Sequence, residues 1–264
     1  MSLIEDMTEL ARRARLASRR LASVSADDKN NCLLAMADSI EANAQFIRDE
    51  NMKDMDVGAE MGLAKPMLDR LLLDEARIGG MATGLREVAG LPDPVGRVIE
   101  ERTRPNGLKL TKIATPIGVI VIIYESRPNV TADAGALCLK AGNATILRGG
   151  SEAINSNRAI AAALQSGGEC AGLPVNSIQL IPFTDRESVR HLAEMDQYLD
   201  LIIPRGGAGL IETVVSLARM PVIKHYDGIC HVYVDSEADL GMATAITVDA
   251  KTQNPVSAMP SRPC

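Results

Sequence analysis

The chain has 264 residues and a formal net charge of −6, from 28 Lys and Arg against 34 Asp and Glu. Hydrophobic residues make up 46% and charged residues 23%, which are values of a globular chain and exclude general disorder. Because no cluster of Lys and Arg forms a basic stripe, we expect no nucleic-acid partner. Aromatic residues make up 2%, which argues against an aromatic platform for stacking bases or sugars.

The five cysteines lie at wide spacings that fit neither a disulfide framework nor a zinc site. We therefore expect a reducing compartment and no metal. No apolar run reaches the ~18 residues that span a bilayer, and the acidic first ten residues lack the apolar segment of a signal peptide. The sequence predicts a cytoplasmic protein without a membrane partner.

Helices and one hairpin are predicted in the first part of the chain. Apolar residues recur at helical spacings through residues 1–90. Two short runs, 98–103 and 108–113, flank the pair Asn106-Gly107, which is a strong hairpin signal. We expect the hairpin segment, 95–115, to project as an arm that pairs with another subunit; a simple surface ribbon is the alternative.

Strands and helices alternate after the hairpin. The run 118–124 is apolar throughout, as expected of a strand that is buried on both faces of a parallel sheet. The further predicted elements are strands at 144–147, 177–181, 199–203, 221–223 and 231–235, and helices at 131–140, 151–165, 187–195, 208–218 and 238–248. This order predicts an α/β fold with a doubly wound parallel sheet.

Two glycine-containing turns each follow a predicted strand and precede a helix. The first is 148–151, with Arg148, Gly149, Gly150 and Ser151, and the second is 204–209. A helix N-terminus of this kind offers backbone N–H groups and a positive dipole end to a phosphate, and Arg148 and Arg205 add cations. Neither turn has the spacing of a Walker A loop or of GxGxxG. The alternative is a tight turn that needs glycine for its backbone geometry.

The polar segment 124–131 comes directly after the predicted buried strand. In open α/β sheets, ligands bind at the edge formed by the carboxyl ends of the strands. Arg127 is a candidate for binding a carboxylate or a phosphate of the substrate, and Asn129 is a candidate donor to a developing oxyanion. The alternative is that Asn129 and Thr131 only cap the next helix.

A histidine–cysteine pair is a further candidate for chemistry. His225 and His231 flank a segment that contains Cys230, and this proximity suggests a nucleophile. Because Cys230 directly precedes a predicted strand, we favour a small buried hydrophobic residue at that position. Cys138 lies in an apolar helical segment and is predicted to belong to the core.

Nine motifs along the chain are specific when taken together. They are 67–71 (MLDRL), 91–96 (LPDPVG), 104–107 (RPNG), 123–131 (IYESRPNVT), 136–143 (ALCLKAGN), 147–152 (LRGGSE), 203–210 (IPRGGAGL), 230–235 (CHVYVD) and 249–253 (DAKTQ). With these motifs the chain resembles the gamma-glutamyl phosphate reductases, a branch of the aldehyde dehydrogenase superfamily. The resemblance extends to about Pro255.

The resemblance implies an aldehyde-dehydrogenase-like fold, with a Rossmann-like NADPH-binding domain at 1–225, the beginning of a catalytic domain at 226–255 and an aberrant tail at 256–264. It implies NADPH-dependent reduction of L-glutamate 5-phosphate to L-glutamate 5-semialdehyde and phosphate, a step of proline biosynthesis. Asn129 matches the region of the oxyanion donor. The predicted cofactor site comprises Arg148, Gly149, Gly150, Ser151, Arg205, Gly206 and Gly207. The implied partners are the small-molecule substrate, further copies of the chain and a glutamate kinase.

The tail departs from the family's pattern. The family continues after the proline with Gly-Val-Cys-Asn-Ala, and its cysteine is the nucleophile that attacks the acyl phosphate; this chain has Ala258 at that position. One coding sequence for 256–264, shifted by one nucleotide, reads Gly-Val-Cys-Asn-Ala-Ile-Glu-Thr-Leu. We therefore expect the tail to be the family's sequence read in another frame.

Three functions follow as hypotheses. The first is the reductase itself, which the resemblance favours for the family. The second is a remnant without catalytic activity that binds nucleotide or self-associates at most, which Ala258 favours for this chain. The third is an unrelated nucleotide-binding module that uses Cys230 or Cys264 as its nucleophile.

Overall fold

The computed structural model describes residues 2–125, 127–185, 187–224 and 231–252. The chain separates into two compact units, Met1–Lys224 and His225–Cys264. The first unit contains the parallel sheet and nearly all of the described core. The assignment of these parts to a cofactor domain and a catalytic domain stays a prediction.

Five helices form the N-terminal region, as the periodicity predicts. They are α1 (Leu3–Leu21), α2 (Ala26–Ala42), α3 (Ala44–Glu60), α4 (Lys65–Leu71) and α5 (Glu75–Gly90). Side-chain caps fix the starts of three of them. Ser2, Ser25 and Asp74 each accept a hydrogen bond from a backbone N–H of the first turn, which satisfies a donor that the helix itself leaves unpaired.

The predicted hairpin is confirmed. Strands β1 (Val98–Thr103) and β2 (Lys109–Ile113) pair antiparallel. In the turn, the N–H of Gly107 donates to the Arg104 carbonyl, and Gly107 has a positive φ of 83°, which favours glycine. Both strands are exposed along their whole length. In the described part of the chain they form a sheet of their own.

The main sheet has four parallel strands in the order β5-β4-β3-β6. Its strands and helices alternate along the chain: β3 (Val119–Tyr124), α6 (Val130–Lys140), β4 (Ala144–Arg148), α7 (Ile154–Cys170), β5 (Ile178–Leu180), α8 (Glu187–Glu194), β6 (Leu201–Arg205) and α9 (Ala208–Leu217).

Helices cover both faces of this sheet, as the doubly wound prediction requires. Helices α6 and α7 pack against β3, β4 and β5, with α2 and α5 behind them. On the other side, helix α1 contacts β3, β4 and β5, helix α9 contacts β6, and helix α8 packs against both α1 and α9. The strand order reverses direction at β3, and right-handed crossovers then place the helices before and after that point on opposite faces.

An ion pair joins the first helix to the start of the central strand. Nη1 and Nη2 of Arg15 donate to Asp200, at 2.7 and 3.0 Å, and Asp200 Oδ2 also accepts from the Val119 N–H at 2.8 Å. Gly118 has a φ of 131°, and a Cβ there would lie 2.1 Å from Asp200 Oδ2. Glycine is therefore required at this position for its backbone and for the close approach of the carboxylate.

The predictions of two strands are wrong. Residues 221–223 contribute one bridge, between Ile202 and Val222, and not a strand. Residues 231–235 are exposed and belong to no strand, because the described part of the second unit provides no neighbouring strand to pair with their backbone groups. The helix predicted after them is present as α10 (Leu240–Thr252). None of the described helices is long and apolar enough to cross a bilayer.

A buried charge cluster ties the loop after α5 to α2. The Lys29 ammonium lies 2.6 Å from an oxygen of Asp93, and its side chain is 1% exposed. The same ammonium donates to the Lys140 carbonyl at 3.2 Å. Burial acts to raise the pKa of Asp93, but hydrogen bonds from Lys29 and from the Val95 N–H outweigh burial and hold the pKa below its ordinary value.

Replacing Asp93 with Asn should destabilise the fold, because it leaves the Lys29 charge buried without its counter-charge. We expect the free energy of unfolding at neutral pH to fall by roughly 3 kcal/mol, measured by urea denaturation followed by circular dichroism. The exposed Asp56 provides the control, since D56N should change the free energy of unfolding by less than ~0.5 kcal/mol.

The contribution of ionised Asp93 to stability depends on pH. It is complete above the ordinary pKa of 3.8 and is lost as the pH falls through the lower pKa of the folded state. Equal stability of D93N and wild type at pH 7 would contradict this account.

Candidate functional site

The carboxyl ends of β3 and β6 meet where the strand order reverses. Tyr124, the last residue of β3, lies opposite Arg205, the last residue of β6. The chain leaves the two strands toward helices on opposite faces of the sheet, an arrangement that in open α/β sheets leaves a crevice between the two loops. This is the position at which open α/β sheets bind their ligands.

A carboxylate of the chain binds the N-terminus of α9 in this crevice. Glu125 Oε2 accepts a hydrogen bond from the Gly207 N–H at 3.1 Å. A Cβ on Gly206 would lie 2.6 Å from the same oxygen, whereas within the described structure a Cβ on Gly207 would meet no atom within 4 Å. The helix end therefore accepts an anion, as the glycine turn predicts, and Gly206 lets that anion approach.

The N-terminus of α7 is different, because two of its backbone N–H groups already have a partner within the chain. Asp54 of α3 accepts from the backbone N–H groups of Asn155 and Ser156, at 3.2 and 2.7 Å. It also accepts from the Asn155 amide at 2.9 Å and from the Ser156 hydroxyl at 2.6 Å. Asp54 is 2% exposed. The sequence offers no signal for this contact, because about a hundred residues separate the partners.

The first glycine turn contains the buried Gly149 and Gly150. Neither has a positive φ, so the alternative of a special backbone geometry does not explain them. Close packing does explain Gly149, since a Cβ there would lie 2.1 Å from Asn157 Nδ2. Arg148 donates from Nη2 to the Thr184 carbonyl at 3.0 Å. Ser151 is exposed and opens the short 3-10 turn Ser151–Ala153 that leads into α7.

Asn129 occupies the N-cap position of α6 but makes no side-chain capping bond. Its Nδ2 donates instead to Asp133 Oδ2, one helical turn later, at 3.0 Å. Thr131 is buried, and its hydroxyl bonds to Tyr124 at 2.6 Å and to Asn157 at 3.0 Å. The capping alternative is thus wrong for both residues, and the Asn129 amide retains a second N–H for a ligand.

The loop after β3 borders a cavity of about 370 Å³, within the size range of small-molecule sites. The structure brings the two predicted substrate residues, Arg127 and Asn129, together on its wall. Sequence reasoning missed the other polar groups that line it. These are Asp69, Arg70, Arg77 and Asp133.

An ion pair and a hydrogen bond hold part of this wall in place. Arg77 forms an ion pair with Asp69 at 3.1 Å and donates to the Leu72 carbonyl at 2.8 Å, which joins the end of α4 to α5. Nearby atoms remove water from the Asp133 carboxyl and raise its pKa above the ordinary value, while the hydrogen bond from Asn129 acts in the opposite direction. A carboxyl group with a shifted pKa on the wall of a cavity is a candidate for binding a ligand.

Most residues of the cysteine hypotheses lie outside the described part of the chain. His225, Cys230, Ala258 and Cys264 are among those residues, so the proposed histidine–cysteine pair and the aberrant tail stay predictions. Cys138 is buried, and this burial raises the pKa of its thiol to about 11, which confirms its place in the core. Within the described residues, no group of His, Cys, Asp and Glu could hold a metal ion.

Comparisons with a family model and with known proteins agree on one family. The model of the aldehyde dehydrogenase family matches residues 3–255. The gamma-glutamyl phosphate reductase of Geotalea daltonii is 53% identical over 255 residues, which are 97% of this chain and 61% of that protein. The enzyme of the same name from Geobacter metallireducens is 54% identical with the same coverage. The chain thus spans about three fifths of the length of these relatives.

Solved structures agree with the sequence comparison. The crystal structure of gamma-glutamyl phosphate reductase from Thermotoga maritima superposes with a TM-score of 0.89 at 40% identity, over 94% of this chain and 60% of that one. An engineered glycolyl-CoA reductase with bound NADP⁺ has a TM-score of 0.65 at 18% identity, over 93% of this chain and 52% of that one, and shows the fold alone.

Proposed function

The chain belongs to the aldehyde dehydrogenase family, and we propose that it forms the cofactor-binding part of a reductase of L-glutamate 5-phosphate. The reaction would use NADPH and yield L-glutamate 5-semialdehyde and phosphate, as a step of proline biosynthesis. The observation that carries this proposal is the 53% identity over 255 residues to relatives named gamma-glutamyl phosphate reductase. In this proposal residues 1–225 bind NADPH, 226–255 begin the catalytic domain and 256–264 are the aberrant tail.

The groups at the carboxyl ends of β3 and β6, where the strand order reverses, fit a dinucleotide. The Gly207 N–H already binds an anion, the Glu125 carboxylate, and the positive end of α9 would favour a diphosphate in its place. Arg205 ends the neighbouring strand and adds a cation. Arg148, with Gly149, Gly150 and Ser151 beside it, would bind the 2′-phosphate that distinguishes NADPH from NADH. When bound, the cofactor supplies the hydride.

The loop after β3 would act on the substrate. The second N–H of the Asn129 amide would donate to the carbonyl oxygen as negative charge develops on it. The hydrogen bond to Asp133 fixes the direction of that amide. Arg127, which lines the same cavity, would bind the phosphate and keep it oriented as the leaving group.

A second function remains a candidate because of one residue. The family's cysteine attacks the acyl phosphate, and this chain has Ala258 at the matching position. Without a thiolate no thioester can form. A chain of this sequence would then bind nucleotide without catalysing the reduction, unless the reading frame after Pro255 differs.

We also propose partners and a cellular location for the protein. The hairpin β1–β2 exposes apolar side chains that a second copy of the chain could cover; these are Val98, Ile99, Leu108, Leu110 and Ile113. A glutamate kinase would supply the labile acyl phosphate. We propose a cytoplasmic location, where NADPH and reduced thiols are present.

Replacing Arg148 with Ala should weaken NADPH binding by about tenfold or more and leave NADH binding nearly unchanged, because the guanidinium would contact the 2′-phosphate alone. Calorimetric titration of both cofactors measures this difference. Arg158 provides a matched control, since it donates to the Pro182 carbonyl just as Arg148 donates to Thr184, and R158A should change neither affinity. An equal loss for NADPH and NADH in R148A would contradict the assignment.

The tail generates a second test. The chain as given should show no reductase activity, because Ala258 provides no nucleophile. Inserting one nucleotide after the Pro255 codon should change the following residues to Gly-Val-Cys-Asn-Ala and restore activity. A spectrophotometric assay of NADPH consumption with L-glutamate 5-phosphate measures the reductase activity of the given chain and of the chain with the insertion. Turnover by the 264-residue chain, or an inserted frame that does not encode the cysteine, would contradict the proposal.

A further inference from the structure

Two short legs join the exposed hairpin to the rest of the fold. The first leg, 93–97, leads into β1, and the second leg, 114–118, leads from β2 to β3. The legs bond to each other, because the Gly96 N–H donates to the Ala114 carbonyl and the Ala114 N–H donates to the Arg97 carbonyl, both at 2.9 Å. The direction in which the hairpin projects therefore depends on what holds these two legs.

The buried charge cluster holds the first leg. Asp93 Oδ2 lies 2.6 Å from the Lys29 ammonium, and Asp93 Oδ1 accepts from the Val95 N–H at 2.9 Å. Lys29 also donates to the carbonyl of Lys140, whose own side chain is 4% exposed. Because release of Asp93 would leave the buried Lys29 charge unpaired, the first leg is anchored to α2 and to the end of α6.

The turn after α6 holds the second leg. Asn143 is 3% exposed, and its Oδ1 accepts from the backbone N–H groups of Ile117 and Gly118, at 2.7 and 2.9 Å. A Cβ on Gly142 would lie 2.8 Å from Pro116 Cγ, so this turn and the second leg are in direct contact. Both legs thus end on one base, which is made of α2, the end of α6 and the turn that follows it.

The hairpin carries positive charge in an acidic chain. The arm, 95–115, contains five cations and two anions, whereas the whole chain has a net charge of −6. The rest of the chain therefore carries all of the excess negative charge. Opposite potentials steer two surfaces toward each other, and this complementarity favours a second copy of the chain as the partner of the arm.

We propose that the Lys29–Asp93 cluster and Asn143 fix the direction of the arm and so pre-organise it for docking on a second copy, an inference that rests on the proposed self-association. A hinged arm would lose conformational entropy when it docks, whereas a fixed arm has lost that entropy already on folding. The base lies at the amino ends of β3 and β4, opposite the sheet edge of the candidate site. The cluster can therefore act on assembly without contacting the cofactor.

Residual dipolar couplings of the backbone amides test whether the arm is fixed. In the wild-type chain, at a concentration where ultracentrifugation shows a monomer, the couplings of β1 and β2 should fit the same alignment tensor as those of β3. D93N and N143A each release one leg, so that the β1 and β2 couplings should shrink. The β3 couplings should stay unchanged, which shows that each variant is folded. D56N, at an exposed position of α3, should behave as the wild type.

Sedimentation at higher concentrations tests the docking. D93N and N143A should associate about tenfold more weakly than the wild type, because docking would then have to fix a hinged arm. Leu110 is exposed on β2 and lies outside both legs. L110D should therefore weaken association without changing the dipolar couplings.

Several outcomes would overturn the inference. These are reduced arm couplings in the wild type, undiminished arm couplings in both D93N and N143A, equal association of the wild type and these variants, or a wild-type chain that stays monomeric at every concentration. Calorimetry of NADPH in the same preparations keeps the reductase proposal separate. A chain that binds no NADPH but shows the expected couplings and association would contradict the reductase proposal and support the role of the cluster.

Discussion

Strand β3 is buried along its whole length, with β4 and β6 beside it in the sheet and helices on both faces. Polar groups inside such a strand would be desolvated without partners. The chain therefore turns polar only where the strand ends, and the segment that follows carries Glu125, Arg127 and Asn129. The hydrophobic effect that builds the sheet thus also determines where its chemistry lies.

Two helices begin near that edge, and the chain satisfies their N-termini in different ways. Asp54 is buried and makes four hydrogen bonds at α7, so removing it would leave buried donors unpaired at a high free-energy cost. Glu125 is exposed and makes one bond at α9. A ligand anion could displace Glu125 into water at little cost, whereas it could not displace Asp54. The diphosphate of a dinucleotide is therefore expected at α9.

The sequence predicts those features that local physics determines. The Asn106-Gly107 pair specifies a hairpin turn, and the apolar run of β3 specifies a strand buried on both faces. It also leads to Arg127 and Asn129, because the carboxyl end of such a strand is a general binding edge. The Asn129–Asp133 bond has a spacing of four residues on one helix and could have been expected from that spacing.

Contacts between distant segments could not be predicted in this way. Asp54 satisfies α7 across about a hundred residues, and Arg70 reaches the cavity from a helix that precedes the sheet. The segment 231–235 shows the opposite error, since strand-like residues form a strand only where a neighbour is present to pair with them.

Amide chemical shifts of the isotope-labelled chain, recorded by NMR while NADPH is added, test the central claim most directly. If the cofactor's diphosphate replaces Glu125 at α9, the resonances of Gly206 and Gly207 should shift while those of Asn155 and Ser156, held by Asp54, stay in place. Shifts at Asn155 and Ser156 with Gly207 unchanged would place the anion at the other helix and contradict the account.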